Sequence, residues 1–293
     1  METPDANGRA SLVRTIAGLR ADPSRPFHTS EASRALGLEP SAFIRQFKQL
    51  TGLSPLRFRA ALRIQIAKTL LITTRMPVTE ISLEVGYNSL GTFVRTFSEM
   101  VGLSPTRFRN LADCHPLGDI GDLPEAQWVS PEAAADAVDI VGVVEPFEAG
   151  LSFVMAAGLF REAVPAGWPI DGCLRVGPGQ FRLSWPRSLR RVSLLVAALP
   201  ERAVREDIWA PPSAELWVYS RELRHTAVGG RRRLELRVQL RRVRETDPPI
   251  LTPLPMLLTQ QQQSTPLEEQ RPSDRAETSG TGGRRRKGES GRS

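Results

Sequence analysis

The hydrophobic positions in the first 110 residues follow a helical period, and one pattern of them occurs twice. After Pro40, the apolar residues Phe43, Phe47 and Leu50 lie at i, i+4 and i+7, which places them on one face of a helix. The pattern predicts a helix that begins at Pro40 and stops at Gly52, because glycine tolerates the left-handed conformation that closes many helices. The same spacing returns fifty positions later, so a second helix of this kind is expected.

Ten residues are identical between the two copies at this constant offset of fifty positions. Self-similarity at a fixed offset identifies an internal duplication, which is a stronger signal than any single motif. Two copies are too few for a solenoid, and they favour two equivalent units that bind a repeating polymer. In the first copy the shared residues are Phe43, Arg45, Phe47, Gly52, Leu53, Ser54, Pro55, Arg57, Phe58 and Arg59.

Short helices are predicted directly before both of these helices. Segments 30–36 and 79–85 are each followed by a glycine. A short helix, a turn with glycine and a second helix with an exposed arginine are typical of the helix-turn-helix unit. For either copy alone, an ordinary helical hairpin with a solvated basic face is an equal alternative. Because the duplication keeps Arg45 and Arg95 in register, the helix-turn-helix interpretation is favoured.

A longer helix is predicted between the copies. Ser54 can cap its N-terminus, Pro55 suits its first position, and the pattern continues to about Ile72. At 1.5 Å per residue this helix spans roughly 27 Å, which is comparable with the ~34 Å between successive turns of a DNA groove. Such a spacer can hold two short helices on one side of a duplex. Its buried stripe is expected at successive i+4 steps, at Phe58, Leu62, Ile66 and Leu70.

Residues 11–110 resemble the DNA-binding domain of the AraC/XylS family of bacterial transcription regulators. The motifs that carry the resemblance are FIRQFKQLTGLSP, LRIQIAKTLL and VTEISLEVGYNSLGTFVRTFSEMVGLSPTRFR. The resemblance implies an all-α double helix-turn-helix domain whose two recognition helices read bases through Arg45 and Arg95. It also implies base contacts from the neighbouring variable positions, which are Ser41, Ala42, Ile44, Leu90, Gly91, Thr92 and Val94.

The residues of this region predict two kinds of DNA contact. Arginine in a recognition helix grips guanine through two parallel hydrogen bonds, and an apolar side chain there contacts thymine methyl groups or fills space. Basic residues elsewhere are expected to meet phosphates, which positions a domain without reading sequence; a solvated helix face is the alternative for each of them. With Lys48, which matches a Phe-Lys pair of the family, the expected phosphate contacts are Lys48, Arg57, Arg59, Arg63, Arg107 and Arg109.

The charge distribution places a basic field on the duplicated region. The 293-residue chain has a formal net charge of +7 and a pI near 10.3, which favours polyanionic partners. Residues 1–110 contain 15 Lys and Arg against 8 Asp and Glu, whereas residues 110–160 contain nine acids and no Lys or Arg. We therefore expect an acidic linker over residues 111–136.

Cysteine and histidine usage argues against metal or disulfide chemistry. The two cysteines, Cys114 and Cys173, and the three histidines lack metal-ligand spacing, so we expect no metal and no cofactor. The first residues lack the apolar core of a signal peptide, and no apolar run approaches the ~20 residues that span a bilayer. The expected location is the cytoplasm, in association with the nucleoid and without membrane contact.

After residue 136 the hydrophobic pattern changes from helical to extended. Short apolar runs separated by Gly- and Pro-rich turns favour an antiparallel β-sandwich-like domain over residues 137–258. From residue 259 the composition of Gln, Pro, Glu, Ser and Gly predicts a disordered basic tail over residues 259–293. The strands are expected at Val138–Val144, Leu151–Leu159, Cys173–Val176, Phe181–Trp185, Val192–Leu199, Glu215–Tyr219 and Leu234–Leu240.

The resemblance also implies a role for the β-rich domain. In regulators of this family the companion domain binds an effector or drives dimerisation, so one of these roles is expected for residues 137–258. Four tryptophans concentrate there, and they either line a ligand pocket or form the core of the sandwich. These residues are Trp168, Trp185, Trp209 and Trp217.

Together the patterns predict a non-enzymatic, sequence-specific regulator of bacterial genes, with two recognition helices in adjacent major grooves and activity modulated through the C-terminal domain. Its expected partner is double-stranded operator DNA; RNA polymerase, a small-molecule effector and a second copy of the chain are further candidates. One alternative is a DNA-targeted enzyme with a catalytic β domain, in which Cys173 is the only thiol and His225 the only imidazole. The other is a nucleoid-binding protein without sequence preference.

Overall fold

The computed structural model combines a helical N-terminal region with a strand-rich C-terminal region, as the sequence predicts. The predicted tail, His225 and much of the predicted linker lie outside the residues that the structure describes. The described residues are 6–114, 125–130, 136–145, 152–162, 166–211, 215–224 and 233–253.

Seven helices form the helical region in the described residues up to 114. The two predicted recognition helices end as expected, since Gly52 and Gly102 follow them with φ of 79° and 86°. Among the helices in the described part of the chain, none combines the length and the hydropathy that crossing a bilayer requires. The helices are α1 (Ala6–Ala21), α2 (Thr29–Ala35), α3 (Pro40–Thr51), α4 (Pro55–Thr73), α5 (Val78–Glu84), α6 (Leu90–Val101) and α7 (Pro105–Cys114).

The duplicated phenylalanines pack in the same way in the two helix-turn-helix units. In the first unit, the ring centroids of Phe43 and Phe47 lie 5.9 Å apart, and Phe47 meets Phe58 of α4 edge-on at 5.6 Å. In the second unit, the equivalent distances are 5.8 and 5.7 Å, with Phe108 of α7 in the place of Phe58. Edge-to-face packing at this distance stabilises aromatic pairs. Each recognition helix is thereby fixed to the helix that follows it.

The buried side of α4 differs from the prediction. Phe58 and Leu62 are buried as expected, but Ile66 is 40% exposed and Leu70 is only half-buried. Four residues advance an α-helix by about 400°, so each i+4 step turns the stripe by about 40° and three steps carry it off the buried side. The side chains that α4 buries include Phe58, Ala61, Leu62, Arg63, Ile64, Ala67, Lys68 and Leu71.

Nine strands and one short helix make up the described part of the β region, which begins at residue 125. All seven predicted strands are present, with ends that shift by at most five residues. The first strand is absent from the prediction and lies inside the predicted linker; its four residues are too few to show a period. The elements are β1 (Ala126–Val129), β2 (Ala137–Val144), β3 (Phe153–Phe160), β4 (Asp171–Val176), β5 (Gly179–Pro186), β6 (Arg191–Pro200), α8 (Arg205–Trp209), β7 (Trp217–Arg224), β8 (Arg233–Val238) and β9 (Arg241–Arg242).

The strands form two sheets that pack face to face. The larger sheet has the strand order β1-β4-β3-β6-β7-β9, and every neighbouring pair in it is antiparallel. The smaller sheet has the order β5-β2-β8, in which β2 and β5 are antiparallel. Strand β8 runs parallel to β2, which departs from the expected antiparallel arrangement.

Apolar side chains fill the space between the sheets and also cover the outer face of the larger sheet. Every residue of β3 is buried, because one face of this strand packs between the sheets and the other meets α8 and Ile250. Trp185 and Trp217 belong to the core between the sheets, at 3% and 4% exposure. Trp168 is half-buried against the helical region. These tryptophans therefore serve packing, which was one of the two interpretations of the sequence.

The β region packs directly against the helical region. Trp209 of α8 is fully buried, and its ring meets Phe108 edge-on at 5.5 Å. Leu251 belongs to the same helical core. On the first unit, the Arg20 guanidinium lies 5.5 Å from the Phe58 ring and donates hydrogen bonds to two main-chain carbonyls of the β region. The β region thus contacts both helix-turn-helix units.

Lys68 of α4 lies in this contact and is fully buried. Its Nζ donates a hydrogen bond to the carbonyl oxygen of Ile250 at 3.3 Å, and the nearby Gln65 amide donates to the carbonyl oxygen of Pro211 at 3.1 Å. Within the described residues, no carboxylate forms an ion pair with Lys68. Burial lowers the pKa of Lys68 to about 7, because the ammonium group loses its hydration.

The buried lysine predicts a pH-dependent stability. In the unfolded chain Lys68 holds its proton up to a pKa of about 10.4, whereas the folded protein releases it near pH 7. Stability therefore rises with pH across this interval, by up to about 1.4 kcal/mol per pH unit. We expect Lys68→Met to be more stable than the unmodified chain at pH 7, and this difference to shrink as the pH rises toward 10.

Urea unfolding followed by tryptophan fluorescence between pH 6 and 10 measures this difference. Lys48→Met is the matched control. Because Lys48 is exposed, this substitution removes no buried ammonium group and should not change how stability depends on pH. Parallel stability curves for Lys68→Met and the unmodified chain across this pH range would contradict the assignment.

Candidate nucleic-acid interface

The outer faces of α3 and α6 carry the residues predicted to contact bases. The phenylalanines of each helix face inward, so the positions between them are directed to the surface. Ile44 and Leu90 are 38% and 41% exposed, which leaves apolar surface open to a ligand. The exposed members of the set are Ser41, Ile44, Arg45, Leu90, Gly91, Thr92 and Arg95, and the half-buried ones are Ala42 and Val94.

Arg45 and Arg95 occupy equivalent positions in the two units, and both are exposed. Within the described residues, Arg45 forms no ion pair. The Arg95 Nε lies 3.9 Å from the Glu99 carboxylate, one turn along α6, with the two side chains 75% and 69% exposed. An exposed helical pair of this kind contributes only about 0.3–0.5 kcal/mol. The pair therefore presents little obstacle to an interaction of Arg95 with a nucleic acid.

The N-terminus of α6 has a cap that the sequence analysis missed. The Ser89 Oγ accepts a hydrogen bond from the main-chain N–H of Thr92 at 3.4 Å. Serine directly before a helical pattern is a recognised start signal. Glu39 holds the equivalent position before α3, but its side chain makes no capping hydrogen bond. The two recognition helices therefore begin with different local chemistry.

Arg59 and Arg109 are equivalent residues of the duplication, and both bind main-chain carbonyls. The Arg59 Nε donates to the carbonyl oxygen of Pro23 at 2.9 Å, just after α1. The Arg109 Nε donates to the carbonyl oxygen of Leu71 at 3.0 Å, near the end of α4. The Arg59 guanidinium thus ties α4 to the end of α1, and the Arg109 guanidinium ties α7 to the end of α4. Both arginines therefore have an internal role that the sequence does not predict.

Arg63 is 8% exposed and also serves the interior of the helical region. Its Nε donates to the carbonyl oxygen of Pro23 at 2.7 Å, and its guanidinium lies 5.3 Å from the ring centroid of Tyr87. A Cβ atom at Gly86, where φ is +85°, would lie 2.6 Å from the Arg63 Nη2, so the turn of the second unit closes over this side chain. Burial lowers the pKa of Arg63. A phosphate contact is not open to it in this arrangement.

Three of the predicted phosphate contacts remain at the surface. Lys48, Arg57 and Arg107 are all exposed. The Arg57 Nη1 lies 3.0 Å from the carboxylate of Glu162 in the β region, with both side chains more than half exposed. Glu162 therefore competes with a phosphate for the Arg57 guanidinium. Within the described residues, Arg107 forms no ion pair.

Metal-ligating side chains are not clustered in the parts of the chain that the structure describes. No group of three or more His, Cys, Asp and Glu residues there could hold a metal ion. Burial raises the pKa of the Cys173 thiol to about 12, so this thiol stays protonated near neutral pH. Cys114 is exposed, and the adjacent His115 lies outside the described residues.

Comparison with protein families gives a match in the helical region. A family model described as a helix-turn-helix domain matches residues 32–111. An uncharacterised HTH-type transcriptional regulator of Haemophilus influenzae is 36% identical over 78 residues, which cover 27% of this chain and 26% of that protein. The matched stretch thus spans about a quarter of the length of this curated relative.

Solved structures similar to this chain include those of a transcriptional factor and of a probable transcriptional regulator. One is the DNA-binding domain of AdpA, a global transcriptional factor, in complex with a target DNA; it is 25% identical over 36% of this chain and 97% of that one, with a TM-score of 0.34. Another is a probable AraC family transcriptional regulator from Rhodopseudomonas palustris, which is 26% identical over 36% of this chain and 97% of that one, with a TM-score of 0.32.

The family match coincides with the two helix-turn-helix units that the duplicated motif builds. Its limits, residues 32 and 111, enclose both recognition helices and the long helix between them. The stretch from residue 32 to residue 111 belongs to the AraC-type helix-turn-helix domains.

Proposed function

We propose that this chain is a sequence-specific DNA-binding transcription regulator. The observation that carries the proposal is the duplicated exposed face of α3 and α6, with arginine at the same position in both helices. Two equivalent reading elements suit a ligand whose structure repeats, and duplex DNA presents a major groove at every helical turn. The helix-turn-helix match over residues 32–111 supports the same function.

In the proposed complex, α3 and α6 enter successive major grooves on one side of the duplex. Arg45 and Arg95 each donate two hydrogen bonds to a guanine, which is the commonest specific contact of arginine with DNA. Ile44 and Leu90 carry exposed apolar surface that can contact thymine methyl groups. The chemistry of the two faces thus favours a site with guanine and thymine positions in both half-sites.

The length of α4 is consistent with this arrangement. Its 19 residues span roughly 28 Å, which approaches the ~34 Å between successive turns of the groove. Lys48 and Arg107 bind phosphates in the proposed complex, and Arg57 does so after it releases Glu162. Arg59, Arg63 and Arg109 have no part in it, because their guanidinium groups are bonded inside the domain.

The β region is proposed to modulate this activity through its contact with both helix-turn-helix units. Trp209 reaches the second unit, and the carbonyls of Glu245 and Asp247 reach the first through Arg20. A change in the β region therefore acts on the positions of both recognition helices. A small-molecule effector, a second copy of the chain and RNA polymerase are the proposed partners through which such a change arises.

The function is tested by selecting DNA that the purified full-length chain retains from a fragmented genome of its source. The selection is made at about 150–200 mM salt, where non-specific binding is weak. We expect the retained fragments to share one motif with two half-sites about one helical turn apart. Retention of unrelated fragments with equal affinity would contradict the proposal and favour a nucleoid-binding protein without sequence preference.

Substitution of the recognition arginines tests base readout. Arg45→Ala and Arg95→Ala are each expected to weaken binding to the selected site by about 1–3 kcal/mol and to relax preference at one base pair. Fluorescence anisotropy with the selected site and its single-base variants measures both effects. Arg202→Ala is the matched control, because Arg202 is 76% exposed and lies in the β region. Unchanged affinity and preference in both variants would overturn the assignment.

The proposed phosphate contacts predict a change in salt dependence. Lys48→Ala and Arg107→Ala should each weaken binding to all sequences alike and reduce the slope of log affinity against log salt by about 1. Titrations of specific and unrelated DNA at several salt concentrations measure the slope. A loss confined to the specific site would instead indicate base contact.

Arg63 is predicted to contribute to the stability of the fold and not to DNA binding. Arg63→Met leaves the carbonyls of Pro23 and Ser24 with fewer donors, which is expected to cost about 1–3 kcal/mol of stability. The slope of affinity against salt should stay unchanged. Arg57→Met is the control for stability, because its exposed ion pair contributes about 0–1 kcal/mol at most. Equal stabilities of the two variants, or a shallower salt slope in Arg63→Met, would refute this role.

A further inference from the structure

A cavity of about 360 Å³ lies between the first recognition helix and the β region. One wall is the C-terminal end of α3, from Gln49 to Thr51, together with Gly52. The opposite wall is the outer face of the larger sheet, which contributes side chains from β6, β7 and β9. The segment from Thr246 to Ile250 closes a third side. The cavity is therefore built by both regions of the chain.

The walls of this cavity are apolar over much of their area. Leu195, Val218 and Val243 line the sheet side, and Leu50 lines the helix side. Leu195 and Val243 are only partly buried, although they pack against the apolar cluster on the outer face of the sheet. Apolar side chains left partly uncovered in a concave site favour a ligand with an apolar body.

The polar groups of the cavity carry no net charge. Arg241 and Asp247 both line it, but they bind each other through two hydrogen bonds of 2.6 and 2.9 Å. Asp247 also accepts a hydrogen bond from the main-chain N–H of Arg244 at 2.7 Å. The uncharged polar side chains at the wall are those of Gln49, Thr51, Ser220 and Thr246. A charged ligand would lack a counter-ion here, whereas a neutral hydrogen-bonding group would find partners.

The size of the cavity limits its occupant to a small molecule. An engineered apolar cavity of about 150 Å³ holds benzene, and drug-sized ligands occupy pockets of roughly 300–1,000 Å³. A volume of about 360 Å³ falls at the lower end of the second range. It is too small for a peptide element with its side chains and larger than a single benzene ring needs.

We propose that this cavity binds an uncharged, amphipathic small molecule with an apolar body and at least one hydrogen-bonding group. The ligand contacts Gln49, which lies one helical turn after Arg45 on α3. Its occupancy therefore acts on the position of the first recognition helix. By linkage, a ligand that changes the affinity for DNA has its own affinity changed by DNA to the same extent. This last step rests on the DNA-binding function proposed above.

The site is tested with the full-length chain and a set of neutral fluorinated phenols and aromatic amides. Matched carboxylates and amines of the same ring systems serve as charged probes. Fluorine NMR detects binding and gives the dissociation constants. We expect several neutral compounds to bind saturably and their charged counterparts to bind at least tenfold more weakly.

Two variants of β7 locate the binding site. Ser220→Trp places an indole at the exposed edge of the cavity and should weaken binding of the neutral compounds at least tenfold. Glu222→Trp is the matched control, because this residue follows on the same face of the strand and does not line the cavity. Circular dichroism and unfolding midpoints establish that both variants fold.

The outcomes separate the cavity from the DNA-binding function. Absence of neutral binders, equal binding of the charged analogues, or unchanged binding in folded Ser220→Trp would each overturn the proposed site. DNA affinity is measured on the same samples with and without a bound compound. If the chain binds the compounds saturably and through Ser220 but has no affinity for DNA, the proposed small-molecule site stands and the proposed DNA-binding function is wrong. An unchanged DNA affinity at saturation would overturn the proposed coupling.

Discussion

The helical region depends on one repeated interaction, the edge-on contact between a recognition helix and the helix that follows it. Phe47 meets Phe58 in the first unit, and Phe97 meets Phe108 in the second, at nearly the same distance and angle. A helix of 12 residues is marginal in water by itself. Its outward face can hold a defined direction only because its inward face is packed. The positions of the surface arginines therefore follow from buried phenylalanines.

The β region attaches at the two phenylalanines that anchor the recognition helices, Phe58 and Phe108. Trp209 packs on Phe108, the last ring of the second unit, and Arg20 lies over Phe58, the last ring of the first. Arg20 also binds the carbonyl oxygens of Glu245 and Asp247, so it connects this ring to the β region. Contacts at two equivalent points constrain the two units relative to each other. The burial of a lysine on α4, with the hydration it loses, is part of the cost of this arrangement.

Local signals in the sequence were sufficient for the helices and for most strands, because prolines, glycines and short apolar runs mark their ends. They were insufficient wherever a segment distant in the sequence determines which face of a helix is buried or how strands pair. The buried side of α4 is set partly by the β region, as the hydrogen bond from Gln65 to Pro211 across 146 positions illustrates. Strand β1 forms by pairing with β4, which is distant in the sequence. The parallel pairing of β8 with β2 likewise has no local signal in the sequence. Of the candidate site, the exposed faces of α3 and α6 were predictable from helical periodicity alone.

The basic residues show the limit of the duplication as a guide to function. Identity between the two copies indicates a shared environment, and that environment is the interior for some residues and the surface for others. Arg45 and Arg95 are both exposed, whereas Arg59 and Arg109 both bind carbonyls at the end of a preceding helix. Charge and repetition are the same for both pairs; only the position relative to the buried phenylalanines differs. Whether a repeated arginine can reach a ligand is therefore decided by the helix face it occupies, and the face is set by packing.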